Sequence, residues 1–284
     1  MKTSFSNKRL SLTLLSIFTL SVSFLISNLN NTQAQENAFS VIHLDKNSLA
    51  GGSTADFKIA DPENGNLLVR DHSYFGTHDE KFYIGLWEAK EGATNVPSLT
   101  YDEAFYVLEG SIELQSEDGE SQIITAGEAA VIHQGWSGKF IIPEGGVRKV
   151  YNVYMNDSEA TGDKPLTLAK DKLDSSTMGE FEPYEPEIGN LIARTNEYFY
   201  SQDESFGLGT WESKPGAQTY TNLGYDELMF IMEGKITMTD ANGTTQTFGP
   251  GEGLVLPKGY NGTLTVEEGG VRKIWTSYMG GPKG

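Results

Sequence analysis

The chain of 284 residues contains no cysteine. Disulfides, zinc–thiolate sites, thiol catalysis and a cysteine-linked lipid anchor are therefore excluded. Histidine is almost as scarce: His43, His72, His78 and His133 are the only four, and all fall in the first half. Positive charge is thin as well, with 21 Lys and Arg against 39 Asp and Glu. So acidic a surface repels nucleic acid and anionic membranes, and neither is an expected partner. Beyond the first 34 residues no apolar run is long enough to span a bilayer. No window carries a sustained helix-period stripe. A G-x-S-x-G elbow, a phosphate loop and a dinucleotide fingerprint are also missing.

What is present begins with a leader-like segment. Lys2, Lys8 and Arg9 precede a largely apolar stretch from Leu10 to Ile26, and "NTQAQ" offers a small-residue cleavage site after Ala34. This is the pattern of a secretory signal, so residues 1–34 are expected to be removed and the protein exported, to a periplasm or beyond. Removal leaves 18 Lys and Arg against the 39 acids, a net charge of −21.

The rest of the chain is a duplication. "GNLLVRDHSYF" at 65–75 returns as "GNLIARTNEYF" at 189–199, and "GLWEAKEGA" at 85–93 as "GTWESKPGA" at 209–217. "YDEAFYVLEG" at 101–110 returns as "YDELMFIMEG" at 225–234, and "EGGVRK" occurs at 144–149 and 268–273. Every pair is offset by 124 residues without a gap, and about 40% of positions agree. The period is that of a whole domain. The match extends upstream, where "VIHLDKNSL" at 41–49 aligns with "PLTLAKDKL" at 165–173, so each copy opens with an arm. We therefore place the first unit at 35–155, a short polar connector at 156–164 and the second unit at 165–284. Copies joined so tightly should pack on each other.

Within each copy short runs rich in aromatic and β-branched residues alternate with Gly-, Pro- and Asp-containing turns, among them Asn242-Gly243, which suits a tight hairpin. The expected fold class is all-β, two tandem jelly-roll barrels.

The motifs are similar to those of the cupin superfamily. Its first motif runs glycine, a histidine pair, a glutamate, then six residues to a glycine. Glu103 stands seven before Gly110, and Glu227 seven before Gly234. The second motif is matched by Gly127, His133 and Gly135, with His133 in the proline slot, and fully by Gly251, Pro257 and Gly259. The histidine positions do not follow. Pro97 to Thr100 and Thr221 to Gly224 precede the glutamates, and the closing histidine is Gly138 in one copy and Gly262 in the other. Three of the four implied metal ligands are thus missing in both halves, and a lone carboxylate does not hold a divalent transition metal. The unit as a whole resembles the branch containing (S)-ureidoglycine aminohydrolase and the ethanolamine-utilisation cupins. That resemblance implies two cupin barrels. The aminohydrolase's manganese site, built of a glutamate, histidines and a glutamine, has no counterpart for its histidines here.

Glu103 and Glu227, facing a barrel interior, are candidate general acids or bases, or acceptors for a sugar hydroxyl or an amine. The alternative is that each is paired with Arg148 or Arg272, or with a tyrosine hydroxyl. Tyr101 and Tyr225 lie two residues ahead on the same strand face. With Trp87, Trp211, Trp136, Tyr260, Arg148 and Arg272 they form the candidate lining of a site for a small polar organic ligand, although aromatic residues on alternating strands also fill cores. Tyr106 and Phe230 recur at matched positions too. No cofactor is favoured. The alternative is a divalent metal, manganese or zinc, held by His72, His78 and Glu103. With all four histidines in the first copy, that copy has the more titratable equipment. Three functions follow: metal-free binding of a polar metabolite, a hydrolase or isomerase acting on a ureide, sugar or keto acid, or a non-catalytic structural role. A homodimer is compatible with each.

Overall fold

In a computed structural model of the chain, residues 40–280 other than Ser53 are described; the expected leader over 1–34 lies outside them. The regular secondary structure of the described residues is nearly all strand, in one antiparallel sheet of ten strands and one of nine. Each sheet curls into a jelly-roll barrel built mainly from one copy of the repeat, so the all-β, tandem-barrel expectation holds.

The turns sit where the sequence puts its glycines. Gly110 and Gly234, which end the glutamate motifs, both have φ of 73°. A Cβ at either would lie 1.9 Å from the carbonyl oxygen of Gly146 or Gly270, so only glycine permits this approach of two backbones. One difference between the copies has a simple cause. Pro143 divides Gly138–Ile142 from Val147–Tyr154 in the first barrel, whereas Glu267 at the matching position lets a single strand run Gly262–Tyr278 in the second. Proline lacks the amide proton that a ladder needs.

The opening arms are exchanged. Ile42–Leu44, from the first copy, pairs with Gly253–Leu256 of the second, and Leu166–Leu168, from the second, pairs with Ala129–Ile132 of the first. Each arm covers a sheet edge that would otherwise present unpaired amides and carbonyls. The copies are joined through main-chain ladders as well as side chains.

Strand alternation supplies two interiors at once. Along Asp226–Asp240, Met229 and Ile231 fill the second barrel, while Leu228 and Phe230 turn to the core between the copies. That shared core is symmetric, with Leu44 and Leu168, Phe82 and Phe206, Val131 and Val255, and Tyr154 and Tyr278 all buried in it. At its centre Phe82 stacks on Tyr278 at 5.3 Å and Tyr154 meets Phe206 at 5.8 Å. The two tyrosines each donate across the boundary, Tyr154 to Asp203 at 2.6 Å and Tyr278 to Asp79 at 2.8 Å.

Two outcomes follow from this junction. Leu44→Ala and Leu168→Ala each remove a fully packed side chain from an exchanged arm and should lower stability by about 2–5 kcal/mol in urea titrations. Burial raises the Asp79 and Asp203 carboxyls, but hydrogen bonds win and hold both below their ordinary value of 3.8: from Thr77 and Tyr278 for Asp79, from Ser201 and Tyr154 for Asp203. A depressed carboxyl contributes stability above its unfolded value and loses it as pH falls through the folded one. Asp79→Asn with Asp203→Asn should therefore lower stability at neutral pH and flatten its loss below about pH 4, read by denaturation at stepped pH.

Candidate functional site

Glu103 and Glu227 point into their barrels, each on the long strand that follows its Tyr-Asp pair, and each is about 6% exposed. Neither is paired with an arginine. Lys149 Nζ donates to Glu103 Oε1, and Lys273 Nζ donates to Glu227 Oε1 at 2.7 Å. The expected partners Arg148 and Arg272 are the immediate sequence neighbours of those lysines, and on a strand neighbours face opposite ways. Lys149 and Lys273 are inside the barrels; Arg148 and Arg272 are on the other face. Arg148 binds Glu88 and Glu109, and Arg272 binds Glu233 and the carbonyl of Leu173.

The ammonium groups are boxed by aromatic rings. Lys149 Nζ lies 4.2 Å from the centre of Phe105, 4.9 Å from Trp87 and 5.8 Å from Phe140. Lys273 Nζ lies 4.9 Å from Trp211. A carboxylate and an ammonium this deeply buried persist because each neutralises the other and the ring faces help to solvate the cation.

The family's fourth ligand position is closed by packing. Trp136 stacks on Phe140 at 5.7 Å and donates from Nε1 to Ser116 at 3.1 Å. A Cβ at Gly138 would fall 2.5 Å from the Trp136 ring and 2.3 Å from the Gln115 carbonyl oxygen. At Gly262 it would fall 2.3 Å from the Tyr260 hydroxyl and 2.6 Å from the Thr239 carbonyl oxygen. No side chain fits at either position, so a histidine there is sterically barred. A divalent metal at the motif glutamate would meet an ammonium where it needs donors, and the residues present do not fit one.

His72, His78 and Glu103 are not brought together. His72 lies on Leu68–Gly76, separated from the strand of Glu103 by two intervening strands, with its ring against Tyr74, and His78 is exposed in a turn. Among the described residues no three His, Cys, Asp or Glu side chains form a group able to hold a metal. His43 packs edge-on against Phe248, and His133 packs against Phe199 of the other copy.

Of the aromatic candidates, Trp136, Tyr260 and Trp211 are core, Tyr101 is nearly so, and Trp87 and Tyr225 are half-buried. The second barrel, not the first, gathers the fuller polar lining. Tyr184 meets Trp211 edge-on at 5.8 Å, Tyr220 donates to Gln218 at 3.3 Å, and Gln218 binds Glu185. Burial, and after it the Glu227 carboxylate, pushes the Tyr220 and Tyr225 phenols far above their ordinary value, leaving them neutral donors. Burial also raises the Glu185 carboxyl, against the Gln218 hydrogen bond and with the help of Glu187 and Glu227. Ala60, Thr94 and Val96 stand in the first copy at the positions of Tyr184, Gln218 and Tyr220. The lysines carried a readable signal: "VRK" recurs in both copies on a strand whose parity matches the glutamates.

Two jelly-roll barrels in tandem, each with a glutamate at the start of its long strand, define a bicupin. The chain matches the EutQ-like cupin domain family twice, over residues 76–151 and 200–275, more than half of its length, and belongs to that family. No curated protein matches it. Among solved structures it is similar to a protein of unknown function from Pseudomonas syringae pv. tomato, at 20% identity over 84% of this chain and 99% of that one, with a TM-score of 0.67. It is also similar to a cupin 2 conserved barrel domain protein from Leptotrichia buccalis, at 12% identity, 74% and 88% coverage and a TM-score of 0.55. The protein Ylba from E. coli is 11% identical, with 89% and 96% coverage and a TM-score of 0.54. At such identities the likeness is one of fold.

The ion pairs give a direct test. Lys149→Met alone strands a buried carboxylate and should cost about 3–5 kcal/mol, whereas adding Glu103→Leu should recover most of the loss, as read in a double-mutant cycle by urea denaturation.

Proposed function

We propose that the protein is an exported bicupin that binds a small polar organic ligand without a metal, at the mouth of a barrel beside the Lys–Glu pair. The reading is carried by one observation: the same buried ammonium–carboxylate pair occupies both barrels at the motif glutamate. The second barrel is the better site. Half-buried Tyr184 and Tyr225 flank Glu227 with neutral hydroxyls, and Glu185 and Gln218 add an acceptor and an amide. Such a lining suits a neutral ureide or polyol, whose donors and acceptors it would match. The doubled layout supports kinship with the ureidoglycine aminohydrolase branch. The manganese chemistry of that enzyme is not part of the proposal, because Gly138 and Gly262 stand at the closing histidine position and a lysine engages the motif glutamate in each barrel.

A non-catalytic structural role is the second reading, favoured by Trp136 and Tyr260, which fill both barrels. One experiment separates the two. Protein recovered from its exported location should carry no stoichiometric manganese or zinc, and a calorimetric screen of ureides and polyols should yield a ligand whose affinity drops about tenfold in Glu227→Gln. A screen without hits leaves the structural role in possession. One metal ion per chain, lost in Glu227→Gln or Glu103→Gln, overturns the metal-free reading.

A further inference from the structure

The duplication creates an open cleft between the copies, distinct from either barrel, with a volume of about 670 Å³. Its lining comes in pairs offset by the repeat: Lys46 with Lys170, Tyr106 with Phe230, Arg148 with Arg272. The cleft therefore straddles the internal symmetry of the molecule. Tyr106 and Phe230 meet there with ring centres 5.0 Å apart and give it an apolar middle.

Its charge runs against the rest of the protein. Acids outnumber bases 39 to 21 in the chain, yet four cations line this cleft against one acid, Asp174. Asp174 is engaged locally, accepting from the amide of Ser176 at 2.9 Å. The arginines are anchored by Glu88, Glu109 and Glu233. Their anchoring is incomplete, for Arg272 is only 7% exposed and its Nε, buried, has no hydrogen-bond partner. Among the described residues Lys46 and Lys170 enter no ion pair. The exchanged arms deliver them: Lys170 lies over Gly127 of the first barrel, and Lys46 approaches Gly251 of the second. In so acidic a chain, two unpaired lysines and two arginines gathered around an apolar middle match one ligand chemistry.

We propose that this cleft binds a small organic dianion, with one anionic group facing the lysine of each arm and its carbon skeleton over Tyr106 and Phe230. A dicarboxylate and an organic phosphate share this chemistry. The inference stands apart from the barrel site and does not depend on it.

The test is calorimetry on the intact protein at low ionic strength, with glutarate as the dicarboxylate probe, fructose 1,6-bisphosphate as the phosphate probe with one phosphate for each lysine, and sodium chloride as the blank. At least one probe should bind saturably at one site per chain and weaken with added salt. Its affinity should fall about tenfold for each lysine removed in Lys46→Met and Lys170→Met. Both side chains are exposed, so the double variant should keep the parent's melting temperature. Which probe binds decides between carboxylate and phosphate. Glu227→Gln is the reverse control, expected to weaken polar-ligand binding in the barrel about tenfold while leaving the anion's affinity intact. Saturable binding by neither probe, binding indifferent to both lysines, or binding lost in Glu227→Gln overturns the proposal.

Discussion

Side chains on a strand alternate between two faces, and in this protein both faces of the long central strands are buried. One set of residues fills its own barrel, and the other fills the core between the copies. Almost every chemically distinctive feature follows from that parity. It sends Lys149 and Lys273 inward to Glu103 and Glu227, and sends Arg148 and Arg272, one residue earlier, to the other face. A one-residue slip would exchange the two sets and put guanidinium groups in the barrels and ammonium groups in the cleft. Register is accordingly held at several places, by the glycine approach at Gly110 and Gly234 and by arms laddered to the opposite sheet.

The same constraint explains how a cupin barrel exists here without its usual ligands. A buried glutamate needs a counter-charge, and in metal-holding relatives of this fold the ion itself supplies it. Once histidines are absent the carboxylate must be protonated, removed or paired. Pairing with a lysine from the neighbouring strand keeps the interior neutral, and the ammonium lies over the ring of Trp87 or Trp211. Trp136 and Tyr260 then occupy the room beside Gly138 and Gly262. Ion pair and packing reinforce each other, so a single histidine substitution would meet both a clash and a competing cation.

Much of the fold was legible in the sequence because a gapless repeat tests each assignment twice. The strands, the hairpin at Asn242-Gly243 and the tandem barrels followed from period-two runs and turn residues. The recurring arms were legible as arms, but not their exchange, since a three-residue strand carries no signal naming the sheet it joins. The glutamates were correctly placed in the interior and their partner was misread. The alternatives weighed were Arg148 or Arg272 and a tyrosine hydroxyl, whereas strand parity, read from "VRK" against "YDE", selects lysine. The histidines show a different limit. Their clustering in the first copy gives it the more titratable equipment, but residue type without position does not bring them together. His133 serves the junction and His78 the surface.

Divergence between the copies is therefore better judged by what lines each interior than by counts of titratable groups. Where the first copy has Ala60, Thr94 and Val96, the second has Tyr184, Gln218 and Tyr220, and these three replacements converge near one carboxylate. Random drift in a packed barrel favours substitutions that conserve volume and apolarity. Exchanging alanine and valine for tyrosine, and threonine for glutamine, adds hydrogen-bonding groups that must each be satisfied in a desolvated place. Meanwhile the ion pair, the motif glycines and the cationic cleft are kept in both copies or shared between them. The duplicated scaffold holds its symmetry where the halves meet and gives it up inside one barrel, which is the distribution expected if the junction and a single barrel carry separate tasks.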